Sequence, residues 1–574
     1  MKKAKAKAKA KLTPEELKAK KIKADHRKMV RSVFNKSGFA RVPELSDKEF
    51  IYQGQKTDFD DVYVLENVLA CLEYTTATDI AAHLKPKKIV YDKIDASHED
   101  SAAFYSGLSD DLKNKLLSDY DASEIQVTIV YCSLKDPDAQ LKQNVPNPVY
   151  LDYPDLRYFK NLSDCIRKSA APELLDFLKL KEEDIGQDGK VGGGKKTESY
   201  PGSLLPESSS NFSKGYKVVS FYAAPRVLLR CAYVLRNGGW RGSYNLYQRM
   251  ISKTKIDSTR RYLKLHKRVF VNNVIVTLPP DCHITDAKGK TADHTVINKT
   301  EPVIVQVPDR INSIGIIDGQ HRTYAYHEAV TDDPEIAKLR NKQNLLVTGI
   351  IYPETADADE REKFEAKLFL EINSTQTSAK SSLRQAIAAI LEPFSAESIA
   401  TRVLESLDQS GGPLSSQIER YFFDKDKLKT TSIVSYALKP LVKTGGADSL
   451  FSLWKQPKKD NMIADKDYEM LKAYVKYCAS QIDIFLAAAR ASVQKEKWTT
   501  DKAIDGRMLN TTTINSLLIC LRLLIENDKT GDFEYYRTRL ADLGKFPFKQ
   551  YHSSQYKQLA LKLYEKHFKQ AVAH

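Results

Sequence analysis

Long apolar runs are missing from this 574-residue chain, and no stretch approaches the ~18 consecutive apolar residues that a membrane span needs. The first residues carry lysines but no apolar segment behind them, so a secretory signal is not expected. Paired cysteines are missing too. The seven cysteines (71, 132, 165, 231, 282, 478 and 520) are scattered, odd in number and never spaced C-x-x-C, which argues against a disulfide framework or a zinc ribbon. Acids are scarce at the N-terminus: through Lys36 there are 14 Lys or Arg against 3 acids, so +11 of the total formal charge of +15 sits there. No internal repeat of solenoid period is visible. What is left is the expectation of a globular, cytoplasmic protein with no membrane partner.

A chain of this length exceeds the roughly 250 to 300 residues at which one core stops growing, so several domains are expected. Residues 1–24 read as a basic disordered tail. The alternation Lys3-Ala4-Lys5-Ala6-Lys7-Ala8-Lys9 repels itself and would gain by lying along phosphates, which makes DNA a natural partner beside the plainer reading of a solubilising extension. Residues 25–182 read as an α/β domain. Glycines 186, 189, 192, 193, 194 and 202, with Pro201, Pro206 and Ser208-Ser209-Ser210, mark 183–215 as a flexible linker. Beyond it, β-branched runs at Tyr216–Tyr222, Val269–Leu278, Val303–Val307, Ile311–Ile317 and Leu345–Tyr352 alternate with helical patterns at Pro225–Leu235, Arg322–Val330 and Asp357–Ile372. That gives an α+β domain over 216–390. Residues 391–574 carry helical periodicity, with Thr431–Val442 and Thr511–Glu526 apolar enough to be buried helices.

The densest chemistry follows the run Ser313-Ile314-Gly315-Ile316-Ile317, where Asp318-Gly319-Gln320-His321-Arg322 leads into Thr323-Tyr324-Ala325. This reads as strand, tight turn, helix. A glycine there lets backbone approach a ligand, and amides at a helix start favour an anion. Arg322 supplies a planar, permanently charged donor for phosphate oxygens. His321 could donate a hydrogen bond or move a proton, and Asp318 could hold Mg2+ or orient Arg322. A plainer reading stands beside this one, in which Arg322 and Asp318 simply pair to cap a helix.

The pentapeptide resembles the signature of DGQHR-domain proteins, a group that includes a regulator associated with DNA phosphorothioate modification and a component of deazaguanine DNA-modification systems. The spacing Gly319-x-x-Arg322-x-x-Ala325 is similar to the phosphate motif of ParB nucleotide-binding domains, and Gly319-Gln320-His321-Arg322 to the G-C-H-R turn of sulfiredoxin. Gln320 stands where sulfiredoxin has its catalytic cysteine, and an amide cannot form the covalent sulfur intermediate, so sulfinic-acid reduction is not expected. Tyr247-Gln248-Arg249 resembles the family's Y-Q-R element. Phe369-Leu370-Glu371-Ile372-Asn373-Ser374-Thr375-Gln376 resembles its F-x-x-I-N-x-x-Q element, although Asn373 could equally end a helix. The resemblance covers about residues 216–390. It implies a central ParB/sulfiredoxin-like domain binding an NTP (ATP or CTP) with Mg2+, in which Gly319, Gln320, His321, Arg322, Asn373, Gln376, Gln248 and Arg249 face the nucleotide.

Two further patterns carry candidate sites. The helical stretch Asp257–Arg268 bears Arg260, Arg261, Lys264, Lys267 and Arg268, a candidate contact to the DNA backbone or else a solvated face. In front, Asp60–Tyr74 reads as two strands around a Glu66-Asn67 turn, with Asp61 and Glu73 placed like the two Mg2+-binding carboxylates of restriction-endonuclease-like folds. Thr75 occupies the position of the activating lysine, which Lys85, Lys87 or Lys88 could supply instead. The alternative is an ordinary hairpin in a domain that keeps the fold without the reaction. The fold class is therefore multidomain α+β: an N-terminal α/β restriction-endonuclease-like domain, a central ParB/sulfiredoxin-like α+β domain and a C-terminal helical domain. The leading expectation is a DNA-associated, nucleotide-binding protein of a DNA-modification or phage-defence system, acting with other components of such a system. NTP hydrolysis through Asp318 and His321 is left open. A non-enzymatic DNA-binding regulator and a Mg2+-dependent nuclease using Asp61 and Glu73 are the alternatives.

Overall fold

In a computed structural model, residues 13–187, 197–236, 239–241, 248–374, 381–552 and 554–569 are described. The chain is a mixed α/β protein that divides into two units, residues 1–234 with 251–356, and residues 235–250 with 357–574. Among the described residues no helix is long and apolar enough to cross a membrane.

The first unit begins with helix α1 (Pro14–Lys36). Thr13 caps it through a reciprocal box: its hydroxyl accepts the Glu16 amide, and the Glu16 carboxylate accepts the Thr13 amide at 2.7 Å. Pro14 sits in the first turn, where its missing N–H costs nothing. The expected disordered tail over residues 1–24 is therefore corrected from Pro14 onward, where the chain is helical, while residues 1–12 lie outside the described residues. Strands β1 (Ala40–Arg41), β4 (Asp61–Leu65), β5 (Val68–Thr75), β6 (Gln126–Ser133) and β7 (Val149–Leu151) form one sheet in the order β1-β4-β5-β6-β7. Its first three strands pair antiparallel and its last three parallel. All of β5 is buried, as a central strand requires. Strands β2 (Lys48–Tyr52) and β3 (Gln55–Phe59) make a separate ribbon whose Gln53-Gly54 turn has both φ angles positive, the geometry of a tight hairpin. Helix α2 (Tyr153–Ile166) packs on α1, and the helices Lys88–Ala96 and His98–Gly107 share a core with Val62, Cys71 and Ile129.

The second sheet of this unit has eight strands: β8 (Thr197–Leu205), β9 (Lys217–Ala223), β10 (Ala232–Tyr233), β11 (Val274–Leu278), β12 (His283–Thr285), β13 (Glu301–Pro308), β14 (Ile314–Asp318) and β15 (Leu345–Ile351). Their order is β10-β14-β11-β15-β9-β8-β13-β12. The expected linker over 183–215 is corrected here, because Thr197–Leu205 is an interior strand between β13 and β9. Gly202 makes this possible: a Cβ there would stand 2.5 Å from the Ser220 carbonyl oxygen. Pairing with β9 starts only at Gly202, past Pro201, which has no N–H to offer. The part of the linker at 188–196 lies outside the described residues.

Nor do the two sheets stand apart. The Asn67 side chain donates to the Glu124 and Asp184 carbonyls and accepts the Gly186 amide. Arg230 pairs with Glu66 and Asp309, and Asn312 donates to the Pro172 carbonyl and to Glu182.

The second unit is helical. Ala396–Gln409, Tyr468–Ala491, Thr511–Glu526 and Tyr556–Tyr564 bury Val403, Leu407, Ile482, Phe485, Leu517, Leu518, Leu559 and Leu563 in one core. The helix from Thr430 widens to a π-turn over Ile433–Leu438, where Gln385 donates to the Thr431 carbonyl and the Ser435 hydroxyl.

Candidate functional site

Strand β14 ends at Asp318, and the chain turns at Gly319, whose φ of +104° no side-chain-bearing residue adopts without strain. The helix that follows is α4 (Gln320–Tyr324), in the same unit as α3 (Lys253–His266) and α5 (Pro334–Lys342), whereas α6 (Ala358–Ser374) belongs to the second unit. Helix α4 is shorter than the expected Arg322–Val330, so little dipole accumulates and the amides alone make a weak anion site. Side chains matter more. Arg322 Nη2 donates to Asp318 Oδ2 at 2.9 Å and to the Asn273 carbonyl at 2.8 Å. Arg322 remains 25% exposed and Asp318 41% exposed, so the pair lies at the surface rather than sealed in the core. Arg322 Nε and Thr323 Oγ1 are buried without a hydrogen-bond partner among the described residues. The Ser252 amide, at the cap of α3, approaches His321 Nε2 at 3.4 Å. The turn thus joins a strand end, the loop before β11 and the start of α3.

That arrangement contains the plain Asp318–Arg322 pair and also keeps donors for an anion. The exposed part of the Arg322 guanidinium is open to a phosphate oxygen, and Asp318 holds the guanidinium plane in place, while Nε is buried away from solvent. Asn273 and Ser252 are partners that the sequence reading missed. No local pattern could have revealed them, because they come from 49 and 69 residues away.

Gln248, Arg249 and Asn373 belong to the second unit, whereas Asp318 to Arg322 belong to the first. Gln248 is buried, its backbone N–H donating to the Leu235 carbonyl, and Arg249 is exposed. Asn373 donates to the Phe369 carbonyl at 2.9 Å, one turn back in α6. Gln376 and Tyr247 lie outside the described residues.

Of the five basic residues on and after α3, two are committed inside the fold. Arg260 donates to the Ala325 and His327 carbonyls, and Lys264 pairs with Asp333 at 2.9 Å. Arg261, Lys267 and Arg268 are exposed, with Arg268 donating to the Tyr262 hydroxyl.

The hairpin corrects the metal expectation for Asp61 and Glu73. Asp61 stands opposite Leu72 in the β4–β5 ladder, so it shares a face with Leu72 and Tyr74, while Glu73 points to the reverse face. On its side, Asp61 is fully buried and accepts from Arg31 at 2.7 and 2.9 Å, from Arg41 at 2.5 Å and from the Tyr74 hydroxyl at 2.7 Å, with Arg27 at 3.8 Å. Burial alone would push its carboxyl up, but the hydrogen bonds from Arg31, Tyr74 and Arg41 outweigh burial and hold it below the usual range. Cations already fill its lone pairs, so Asp61 is a clamp. On the other face, burial pushes the Glu73 carboxyl up to about 8 despite Lys87, whose Nζ lies 2.5 Å from Glu73 and 2.9 Å from Asp58. Thr75, in the expected lysine position, is buried and its hydroxyl accepts the Ala77 amide. Of Lys85, Lys87 and Lys88, the lysines expected to reach this site, Lys87 is the one that meets Glu73, and it also holds Asp58, which no local pattern marks. Among the described residues no three His, Cys, Asp or Glu side chains stand close enough to hold a metal ion. The residues present therefore do not fit Mg2+ between Asp61 and Glu73. Comparison with protein-family models, with curated proteins and with solved structures finds no match for this chain.

Proposed function

We propose that this chain is a DNA-associated protein that binds a nucleotide through the turn Asp318 to Arg322, within a DNA-modification or phage-defence system. The carrying observation is the Arg322 guanidinium, which is oriented by Asp318 and the Asn273 carbonyl and reaches the surface. The DGQHR resemblance points to the same five residues. In this reading Arg322 binds phosphate oxygens of ATP or CTP, Gly319 lets the ligand approach the backbone, and His321 lies beside the start of α3. Mg2+ would accompany the nucleotide at the exposed Asp318 carboxylate, in competition with Arg322 for its oxygens. Labelled ATP and CTP, each with and without DNA and Mg2+, are the probes. Binding by the wild-type chain, weakened at least about tenfold in Arg322→Ala by loss of a charge-assisted pair, is the expected result. Absence of binding and turnover under every condition removes the reading.

A regulator that grips DNA phosphates without nucleotide is the second reading, favoured by the exposure of the Asp318–Arg322 pair at the protein surface. It predicts salt-dependent DNA binding lost in Arg322→Ala with no nucleotide requirement. The N-terminal sheet and its flanking helices support a restriction-endonuclease-like module that keeps the fold without the reaction, since Asp61 is held by arginines and no metal step is derived through it.

A further inference from the structure

The end of α3 and the loop leading from it to β11 form a surface that the nucleotide reading does not use. Lys267 takes a left-handed conformation, φ +52°, that stops the helix and turns the chain outward. Gln343, just past α5, donates to the Lys267 carbonyl and fixes that corner. Arg261, His266, Lys267 and Arg268 are exposed around it, and Lys338 and Lys342 are exposed on α5. No acidic residue occurs between Ser258 and Pro280. The nearest acids on α5 and its cap, Asp333 and Glu335, turn toward Lys264.

Charge is only half of this surface. Leu265 is 77% and Val271 87% exposed, a large cost for aliphatic side chains unless something covers them. The same segment carries an aromatic group: Tyr262 stacks on Phe270 with centroids 5.7 Å apart and 17° between planes, and His266 lies 4.4 Å from Tyr262. The Arg268 guanidinium stands over the Tyr262 ring. The same segment ends at Asn273, whose carbonyl holds Arg322, so the surface leads directly to the proposed phosphate site.

We infer that this surface binds single-stranded DNA, its bases packed on Tyr262, His266, Phe270, Leu265 and Val271 and its phosphates on Arg261, Lys267, Arg268, Lys338 and Lys342. The inference rests on the DNA association proposed above and names the form of DNA. Duplex DNA would satisfy the charges but leave the rings and aliphatic groups in water, because paired bases present no free faces. Unpaired bases stack on such groups, and the positive groove follows the backbone. A membrane surface would need a broader apolar face than two aliphatic side chains provide.

The test uses the full-length chain, a fluorescent 20-nucleotide oligo-dT and a 20-base-pair duplex, read by anisotropy across a salt series. Wild-type protein is expected to bind the single strand at least about fivefold more tightly, as stacking of one or more bases allows. The triple variant Arg261→Ala, Lys267→Ala and Arg268→Ala is expected to lose at least about tenfold in single-strand affinity, and the slope of log K against log salt to flatten by about 2. Leu265→Ser with Val271→Ser is expected to lower the single-strand preference and leave duplex affinity unchanged. These side chains are exposed, so folding is retained, which circular dichroism checks. Nucleotide binding is measured on the same variants and is expected to be unchanged, which separates failure of this surface from failure of the Arg322 site. Equal affinity of the wild type for both DNA forms, no DNA binding at all, or variants that bind like the wild type would overturn the inference. Sedimentation with phosphatidylserine vesicles that depended on the same residues would overturn it in favour of a membrane.

Discussion

Gly319 is the residue on which the proposed site turns. A Cβ there would meet the Val274 methyl groups and Arg322 at 3.2 Å, and the backbone would be strained as well. Gly319→Ala is therefore expected to cost about 1 to 3 kcal/mol of stability and to displace Arg322. Urea denaturation alongside nucleotide binding checks both effects, and wild-type values in both would show that the turn tolerates a side chain. Glu73 offers a pH test. Its folded carboxyl titrates near 8 through burial, well above the ordinary ~4.3 of a free glutamate. Between those values the folded state keeps a proton that the unfolded chain has released. The contribution is thus fully present below the unfolded value and is lost as pH rises through about 8. Wild-type stability relative to Glu73→Gln is expected to fall over that window by on the order of a few kcal/mol. Parallel pH dependences for the two proteins would refute it.

At the scale of elements, the β4–β5 hairpin shows how pairing decides what a carboxylate can do. Asp61 and Glu73 look like a pair along the chain, yet the ladder separates them by the thickness of the sheet. Asp61→Ala would leave Arg31, Arg41 and the Tyr74 hydroxyl without their shared acceptor. Breaking a fully buried pair costs about 3 to 5 kcal/mol, and because these arginines keep roughly a third of their side chains in solvent, about 2 to 4 kcal/mol is expected. Thermal unfolding measures this, and a variant as stable as the wild type would restore Asp61 as a candidate for chemistry. Helix α1 carries two of these cationic partners, Arg27 and Arg31, on its buried half, while Thr13 to Asp25 are exposed with Lys18, Lys20, Lys21 and Lys23 among them.

Over the whole molecule, the basic excess is concentrated in the first residues, where residues 1–24 hold ten lysines and two glutamates. If DNA is the partner, deleting them is expected to flatten the salt dependence of DNA binding by roughly 3 units or more in log–log slope and to leave the α3 surface's preference for single strands in place. An unchanged slope would assign these lysines to solubility alone. The division into units matters here as well: the Arg322 turn and the α3 surface belong to one unit, while Gln248, Arg249 and Asn373 belong to the other. Substituting Arg322 and substituting Asn373 are therefore separate tests of the nucleotide reading.

Much of this fold follows from patterns that need only near neighbours. The helix at Thr511–Glu526 and the strands around the Glu66-Asn67 turn stand where periodicity puts them, because burying one face rewards a spacing of 3.6 or of 2 directly. The capping pattern Thr13-Pro14-Glu15-Glu16 is present in the sequence, but the lysine-rich surroundings favour a disordered tail over a helix there. Asp318 and Arg322, four residues apart across a one-turn helix, form the pair their spacing allowed. Partners distant in sequence were decided only by the fold. Strand β8 arises in a Gly- and Ser-rich stretch because β9 and β13 supply its hydrogen bonds, and Lys87 rather than a neighbour of Thr75 meets Glu73 because a helix carries it across the sheet face. Local sequence sets which groups are present and which way the backbone bends; which charges meet, and which are left facing solvent, depends on pairings between strands and helices that no single segment contains.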